Sequence, residues 1–320
     1  MMLNFMRSLK KNLQKFFNAK KERIQLIFTT GYIEAKSELF YNLISQKAKI
    51  KRLATGFQFT EGPIWFAAEN YLLFSDIPAS KIYKLSSGNK VSVFREFSNN
   101  SNGLTRDKEG RLIACEHGTR RLTRTEKDGS ITILADQFQE KKLNSPNDVI
   151  VKNDGSIYFT DPPFGIKIEQ QKQPYQGVYC ISPDGKLILV ADDFERPNGL
   201  AFSPDEKKLY IDDSFRHHLR VFDVQDNGIL TNGKIFYDMK INKPGCPDGM
   251  KVDIQGNIYC TGAGGIWVFN PEGNHLGTIV TPEIPANCAW GDADLQTLYI
   301  TAQTSIYTIR VNIPGIKVRL

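Results

Sequence analysis

The chain is poor in the residues that build the commonest zinc and disulfide frameworks. It has five cysteines and four histidines among 320 residues. The cysteines are odd in number, and the closest two, Cys246 and Cys260, are 14 residues apart. This spacing predicts reduced core thiols, not a zinc cluster or a disulfide framework. No apolar run approaches the ~18 residues of a membrane-spanning helix.

Positive charge is also scarce outside one segment. The net charge is +6, but residues 1–52 hold 12 Lys or Arg against 3 Glu (12 − 3 = +9), and the remainder holds 29 against 32 (29 − 32 = −3). The body of the chain is therefore slightly acidic, and we predict no nucleic-acid partner for it. The sequence does not indicate the oligomeric state.

The basic segment has the pattern of a short amphipathic helix, with apolar residues at Met2, Met6, Leu9, Leu13 and Phe16. Such a helix can pack on the body of the protein, serve as a targeting segment, or make weak contact with a membrane surface through residues 1–20. No secretory signal is recognisable, so a cytoplasmic location is expected, with peripheral membrane association as the alternative.

A repeated segment fills the rest of the chain. Six copies open with an acidic or amide residue and continue as strand, turn and strand. The gaps between openings are 41, 45, 51, 50 and 39 residues. This period predicts an all-β fold, a six-bladed β-propeller over residues 51–320, preceded by a basic helical extension over residues 1–50. The opening residues are Glu61, Asn102, Asn147, Asn198, Asp248 and Asn287.

The openings carry the chemistry, because the innermost strand of every blade begins at one mouth of the central channel. Two carboxylates and several carboxamides then converge at one axial point, where buried charge must be neutralised. Oxygen donors of this kind suit Ca²⁺. Without His or Cys a dedicated zinc site is not indicated, although Mg²⁺, Mn²⁺ or Zn²⁺ can substitute. Nucleophile-elbow, HExxH and Walker motifs are missing, which leaves metal-based hydrolysis or binding.

Five runs resemble the gluconolactonase and regucalcin (senescence-marker) family of calcium-dependent six-bladed propellers, and its gluconolactonase-like branch in particular. The similarity covers roughly residues 35–315. The runs are TEGPIW, NGLTRDKEGRLIACEHGTRRLTR, LNSPNDVIVKNDGSIYFTDPPFG, RPNGLAFSPDEKKLYIDDS and PDGMKVDIQGNIYCTG.

The resemblance implies roles for individual residues. The metal is expected on Glu61 of the EGP turn, Asn198 of RPNGL and Asp248 of PDGM. Asn147 of SPNDV matches a residue that binds metal in some members and substrate in others, and Asn102 is expected to face the substrate. The implied activity is Ca²⁺-dependent hydrolysis of sugar lactones such as gluconolactone.

Lactone hydrolysis also needs a base. Asp248 is the first candidate, as base or nucleophile, and His117 of CEHG is the alternative. A phosphotriesterase of the fluorophosphatase type, which uses the same quartet, and a non-catalytic calcium-binding propeller remain open as other functions.

Further substrate contacts are suggested by the long polar stretch from Asp161 to Gly177, which we expect to fold over the channel mouth. Phe164 and Trp65 are candidate pocket residues. Arg120 and Arg121 are candidates for an anionic substrate group or for a solvated strand edge.

Overall fold

A computed structural model of the protein describes residues 30–317. Six antiparallel sheets of four or five strands account for nearly all of the regular structure. The innermost strands contact one another in sequence order, and the last contacts the first, so the sheets close into a ring around a channel. The prediction of an all-β six-bladed propeller is confirmed. The predicted amphipathic helix lies outside the described residues.

The first three blades follow the chain from the channel outwards. Blade 1 contains β3 (Thr60–Phe66), β4 (Tyr71–Asp76), β5 (Lys81–Ser86) and β6 (Lys90–Arg95). Blade 2 contains β7 (Ser101–Arg106), β8 (Leu112–Glu116), β9 (Arg121–Thr125) and β10 (Ile131–Ala135). Blade 3 contains β13 (Val149–Val151), β14 (Ile157–Asp161), β15 (Gln176–Ile181) and β16 (Leu187–Phe194). A small hairpin of β11 (Gln137–Phe138) and β12 (Lys141–Lys142) separates blades 2 and 3.

The last three blades repeat this order. Blade 4 contains β17 (Pro197–Phe202), β18 (Lys208–Asp213), β19 (His218–Val224) and β20 (Leu230–Asp238). Blade 5 contains β21 (Met250–Val252), β22 (Ile258–Gly262), β23 (Gly265–Phe269) and β24 (His275–Val280). Blade 6 contains β25 (Pro285–Gly291), β26 (Thr297–Ala302) and β27 (Ser305–Arg310). The 3₁₀ turns are Ser87–Asn89 and Ile168–Gln170.

Two strands from before the first repeat complete the ring. The strand β2 (Lys51–Thr55) pairs with β27 as the outer strand of blade 6, which ties the start of the propeller to its end. The strand β1 (Tyr32–Ala35) pairs with β24 as a fifth strand of blade 5. Between them the one-turn helix α1 (Phe40–Leu43) packs inwards. Residues 32–50, which the sequence assigns to the extension, therefore contact blades 5 and 6; the domain boundary at residue 50 stays a prediction.

The core consists of six apolar clusters, each between two neighbouring blades. Strand periodicity explains this arrangement, because successive side chains point to opposite faces of a sheet. Tyr158 packs towards blade 4 and Phe159 towards blade 2. In β18, Leu209 and Ile211 face blade 3, whereas Tyr210 faces blade 5.

All five cysteines are free, and four are buried. Within residues 30–317, no helix is long and apolar enough to cross a membrane.

Candidate metal centre and active site

Glycine follows four of the six opening residues, and the close approach of neighbouring blades explains why. A Cβ built on Gly62, whose φ is +54°, would lie 2.0 Å from the carbonyl oxygen of Asn102. A Cβ on Gly199 would lie 2.1 Å from the carbonyl oxygen of Asp248. Any side chain would push these strands apart. The glycines therefore let the opening residues of successive blades crowd together at one end of the channel.

Three asparagines from consecutive blades form a continuous hydrogen-bonded row. Nδ2 of Asn102 donates to Oδ1 of Asn147, and Nδ2 of Asn147 donates to Oδ1 of Asn198. Nδ2 of Asn198 then donates to Oγ of Ser214, 2.9 Å away. All three amides are buried. The row fixes which way each amide faces: Nδ2 of Asn147 is directed to Asn198, and its Oδ1 is directed to Asn102.

His117 joins this row from the second strand of blade 2. Its Nε2 lies 3.1 Å from Oδ1 of Asn147 and 3.3 Å from Nδ2 of Asn102. Burial lowers the pKa of His117 to about 4, although the hydrogen bond with Asn147 opposes the shift. The imidazole is therefore neutral at pH 7 and holds the two amides in place.

The carboxylates of Glu61 and Asp248 lie beside the asparagine row. Burial, reinforced by the charge of Asp148, raises the pKa of Glu61 to about 7. Burial also raises the pKa of Asp248 well above its usual value, and the neighbouring Glu61 adds to the shift. Carboxylates whose pKa values are raised by burial and by neighbouring carboxylates are short of positive charge. Their surroundings favour either shared protons or a bound cation.

Two further buried acids at this end were missed by the sequence analysis. Asp148 follows Asn147 directly, and its Oδ2 has no hydrogen-bond partner among the described residues. Asp212 lies in β18, is 0% exposed, and its Oδ1 likewise has no partner in the described part of the chain. Burial raises the pKa of both. The available signal was Asp148 itself, which occupies the position that glycine takes in four other blades.

Lys251 is the cation whose charge reaches this cluster, lowering the pKa of both Glu61 and Asp148 against the effect of burial. Its ammonium group thus acts on two of the four buried carboxylates. The donor set fits a hard divalent cation: two carboxylates balance the charge and two amide oxygens add neutral ligands. Residues 30–317 contain no cluster of three or more His, Cys, Asp and Glu placed to hold a metal, so the fit depends on the amides. The assignment of Glu61, Asn147, Asn198 and Asp248 as ligands stays a prediction.

The loop between β14 and β15 lies over His117, as expected for the stretch from Asp161 to Gly177. The backbone N–H of Gly165 donates to Oγ of Ser145 at 3.1 Å, and a Cβ on Gly165 would lie 2.7 Å from Cβ of His117. Phe164 in this loop is 40% exposed, with the guanidinium of Arg196 5.5 Å from its ring centroid. The loop thus forms one wall beside the asparagine row.

Three other expected contacts are occupied elsewhere. Arg120 supports the loop, because its Nε donates to the carbonyl of Leu143 and its NH1 to that of Gln170. Arg121 pairs with Glu116 at 2.7 Å. Trp65 stacks on Tyr299 with ring centroids 5.3 Å apart, and it lies towards the opposite end of the channel from Glu61. These side chains hold blades and loops together.

Comparison with known proteins assigns most of the chain to the family that the sequence motifs indicate. The model of the SMP-30/gluconolactonase/LRE-like region matches residues 59–304. The chain belongs to this family. It is 34% identical to the gluconolactonase of Zymomonas mobilis over 316 residues, which cover 90% of this chain and 88% of the relative. It is 29% identical to bovine regucalcin over 247 residues, 75% of this chain and 82% of the relative.

Solved structures of this SMP-30/gluconolactonase/LRE-like family agree. The gluconolactonase of Xanthomonas campestris shares 32% identity and superposes with a TM-score of 0.82 over 89% of this chain and 97% of that one. The predicted family and its gluconolactonase-like branch are confirmed. The prediction of a lactonase-type enzyme is confirmed at the level of the family.

Proposed function

We propose that this protein hydrolyses sugar lactones such as gluconolactone at the end of its channel where the opening residues meet. A divalent cation, Ca²⁺ by preference, would be held among those residues. The buried set of two carboxylates and two amide oxygens carries the proposal. Similarity to proteins named gluconolactonase supports the substrate class.

Glu61, Asn147, Asn198 and Asp248 are the residues that would hold the cation. When bound, such an ion polarises the lactone carbonyl and lowers the pKa of a water molecule. Two carboxylates match its double charge, and of the remaining buried acids Asp148 is stabilised by the charge of Lys251. Ca²⁺ is favoured over smaller ions because all the donors are oxygens and they come from four separate blades, which suits flexible coordination.

The protein supplies proton transfer and orientation. Asp248 accepts the proton of the attacking water as the new C–O bond forms at the carbonyl carbon. When the ring C–O bond breaks, the proton passes to the leaving alkoxide, and the product is a hydroxy acid. Asn102 and Asn147 would bind the substrate's polar groups, with His117 fixing their amides. His117 is the alternative base, at a cost set by its low pKa.

The decisive test follows proton release from glucono-1,5-lactone above the spontaneous rate. We expect turnover to stop in EDTA, to return with Ca²⁺, and to fall by about 10³-fold or more in Asp248→Asn, since general-base catalysis contributes up to about 10⁴-fold. Asp226→Asn, a matched change in an exposed turn, should leave turnover unchanged. Metal binding without turnover of any sugar lactone would indicate a calcium-binding propeller. Turnover of phosphotriesters alone would indicate the fluorophosphatase-type alternative.

A further inference from the structure

The opposite end of the channel widens into a cavity of about 210 Å³. All six innermost strands contribute to its wall. Its apolar lining includes Ile64, Trp65, Leu104, Val149, Phe202 and Trp290. Trp65 lies four residues after Glu61 in β3, so the cavity is about 13 Å along the strand from the candidate metal centre. It is a separate space from the site described above.

Three buried N–H groups in this wall lack acceptors. They are Nε1 of Trp65, Nε1 of Trp290 and Nε of Arg106, none of which has a hydrogen-bond partner within the described part of the chain. The three side chains are 7%, 7% and 4% exposed. Buried donors are rarely left unpaired, and an unpaired one needs a specific reason. Of the three side chains, only Arg106 carries a charge that an anion in the cavity would neutralise.

The cavity also carries surplus positive charge. Its lining includes Arg106, Lys108 and Lys317, against the two acids Asp107 and Glu206. Lys152 and Lys251 also line it, but Lys152 pairs with Asp154 at 2.5 Å and the ammonium of Lys251 is directed to Asn287 at the metal centre. Asp107 is already paired with Arg111 at 2.7 Å, and Glu206 accepts the backbone N–H of Asn153 at 2.9 Å.

Arg106 is the most deeply buried of these cations. It forms no ion pair with any of residues 30–317, and its guanidinium lies 5.6 Å from the ring centroid of Phe66. Burial lowers its pKa, although the nearby Glu69 opposes the shift. A buried guanidinium without a partner is the group that an anion stabilises best.

We propose that this cavity is a binding site for a small organic anion, namely a monocarboxylate with an apolar body. Arg106 binds the carboxylate, and the aliphatic and aromatic wall takes the apolar part. At about 30 Å³ for each water molecule, the cavity of about 210 Å³ equals about seven waters, which suits a carboxylate of short to medium chain length. The proposal does not depend on the lactonase activity.

Intrinsic fluorescence can test the site directly, because Trp65 and Trp290 line the cavity and the third tryptophan, Trp267, lies in blade 5 away from it. In a Trp267→Phe background the signal comes from the cavity alone. The probe is octanoate, with octanamide as its neutral isostere, in EDTA so that no metal binds the carboxylate. We expect a saturable change with octanoate and an affinity at least about tenfold lower for octanamide.

Arg106→Met should weaken octanoate at least tenfold and leave octanamide unchanged, whereas Arg106→Lys should keep the preference for the anion. Arg216→Met, a matched change at an exposed arginine outside the cavity, should have no effect. Equal affinity for the two probes, no saturable signal, or octanoate binding that survives Arg106→Met would overturn the proposal. Binding that appears only in a chain truncated after Lys317 would also overturn it, and would make residues 318–320 the occupant.

Discussion

Lys251 reaches across a blade boundary to Asn287: its Nζ lies 3.3 Å from Oδ1 of Asn287. Nδ2 of the same amide donates to Oε2 of Glu61 at 3.0 Å. The lysine therefore fixes the direction of the Asn287 amide, and the amide fixes one oxygen of Glu61. An ammonium group in blade 5 thus orients a candidate metal ligand in blade 1.

Removing this ammonium should change how protons compete with the cation. Lys251→Met takes away a charge that lowers the pKa of Glu61, so that pKa rises further. We expect the pH at which half of the Ca²⁺ affinity is lost to move up by about one unit. Calcium titration calorimetry between pH 6 and pH 9 measures the shift. Lys251→Arg retains the charge and should restore the original midpoint; an unchanged midpoint in Lys251→Met would remove Lys251 from this role.

Calcium affinity itself should depend on pH in a defined direction. The pKa of Glu61 is raised to about 7 from 4.5, so the metal-free folded protein keeps a proton that the cation must displace. Affinity should therefore rise with pH, and at pH 6 it should be at least about tenfold weaker than at pH 8. Calorimetry in two buffers of different ionisation enthalpy would count the released protons. Equal affinity at both pH values would contradict this prediction.

The stability of the metal-free protein should change with pH in the opposite direction to the calcium affinity. Between about pH 4.5 and pH 7 the folded state holds the Glu61 proton that the unfolded chain has released, so stability falls as pH rises through this window. His117, with its pKa lowered to about 4, acts the other way below pH 6.5. The contribution of Glu61 is therefore obtained as the difference in Tm between wild type and Glu61→Gln in EDTA. We expect the Tm of Glu61→Gln to rise relative to that of the wild type as pH rises from 5 to 7.5.

Substitutions of His117 and of Asp248 should lower turnover by different amounts. A histidine with a pKa of about 4 is a weak base, and its hydrogen bonds with Asn102 and Asn147 describe an orienting group. We expect His117→Gln, which keeps a polar group there, to lower kcat/KM by about tenfold or less, against about 10³-fold for Asp248→Asn. A loss in His117→Gln as large as in Asp248→Asn would make the histidine the base.

The parts of the molecule that the sequence predicts are those that repeat. Glu61 and Asp248 are recognisable because each opens a copy of a six-fold pattern, so the propeller and the meeting of the opening residues could both be predicted. Asp148 carried one signal, its place where four other blades have glycine, whereas Asp212 could not be predicted, because it lies in β18 and its facing direction depends on local register. In β3 the pairing with β4 shifts between Glu61 and Ile64, a bulge that resets the alternation. That bulge also explains why Trp65 packs between blades, away from the expected pocket.

The start of the chain provides the last prediction, since strand β1 and helix α1 pack on blades 5 and 6 but lie before the first repeat. Phe40, Leu43, Ile44 and Ile50 are all at least 94% buried there. Each such side chain contributes about 1.5–3 kcal/mol on burial, so the four together rival the whole stability of a typical domain. Deletion of residues 1–29 should leave Tm and lactone turnover unchanged, whereas deletion of residues 1–50 should prevent folding.

Circular dichroism melts and the proton-release assay would compare the two truncated proteins with the full chain. The point substitution Phe40→Ala should lower the free energy of unfolding by about 3–5 kcal/mol, which would link any loss of stability to packing. A folded, active protein that starts at residue 51 would show that the domain boundary lies at residue 50.

Vesicle flotation with the first truncation tests the membrane contact expected of residues 1–20. Binding to anionic vesicles should disappear with those residues, and with high salt in the full chain, because it depends on screened charge.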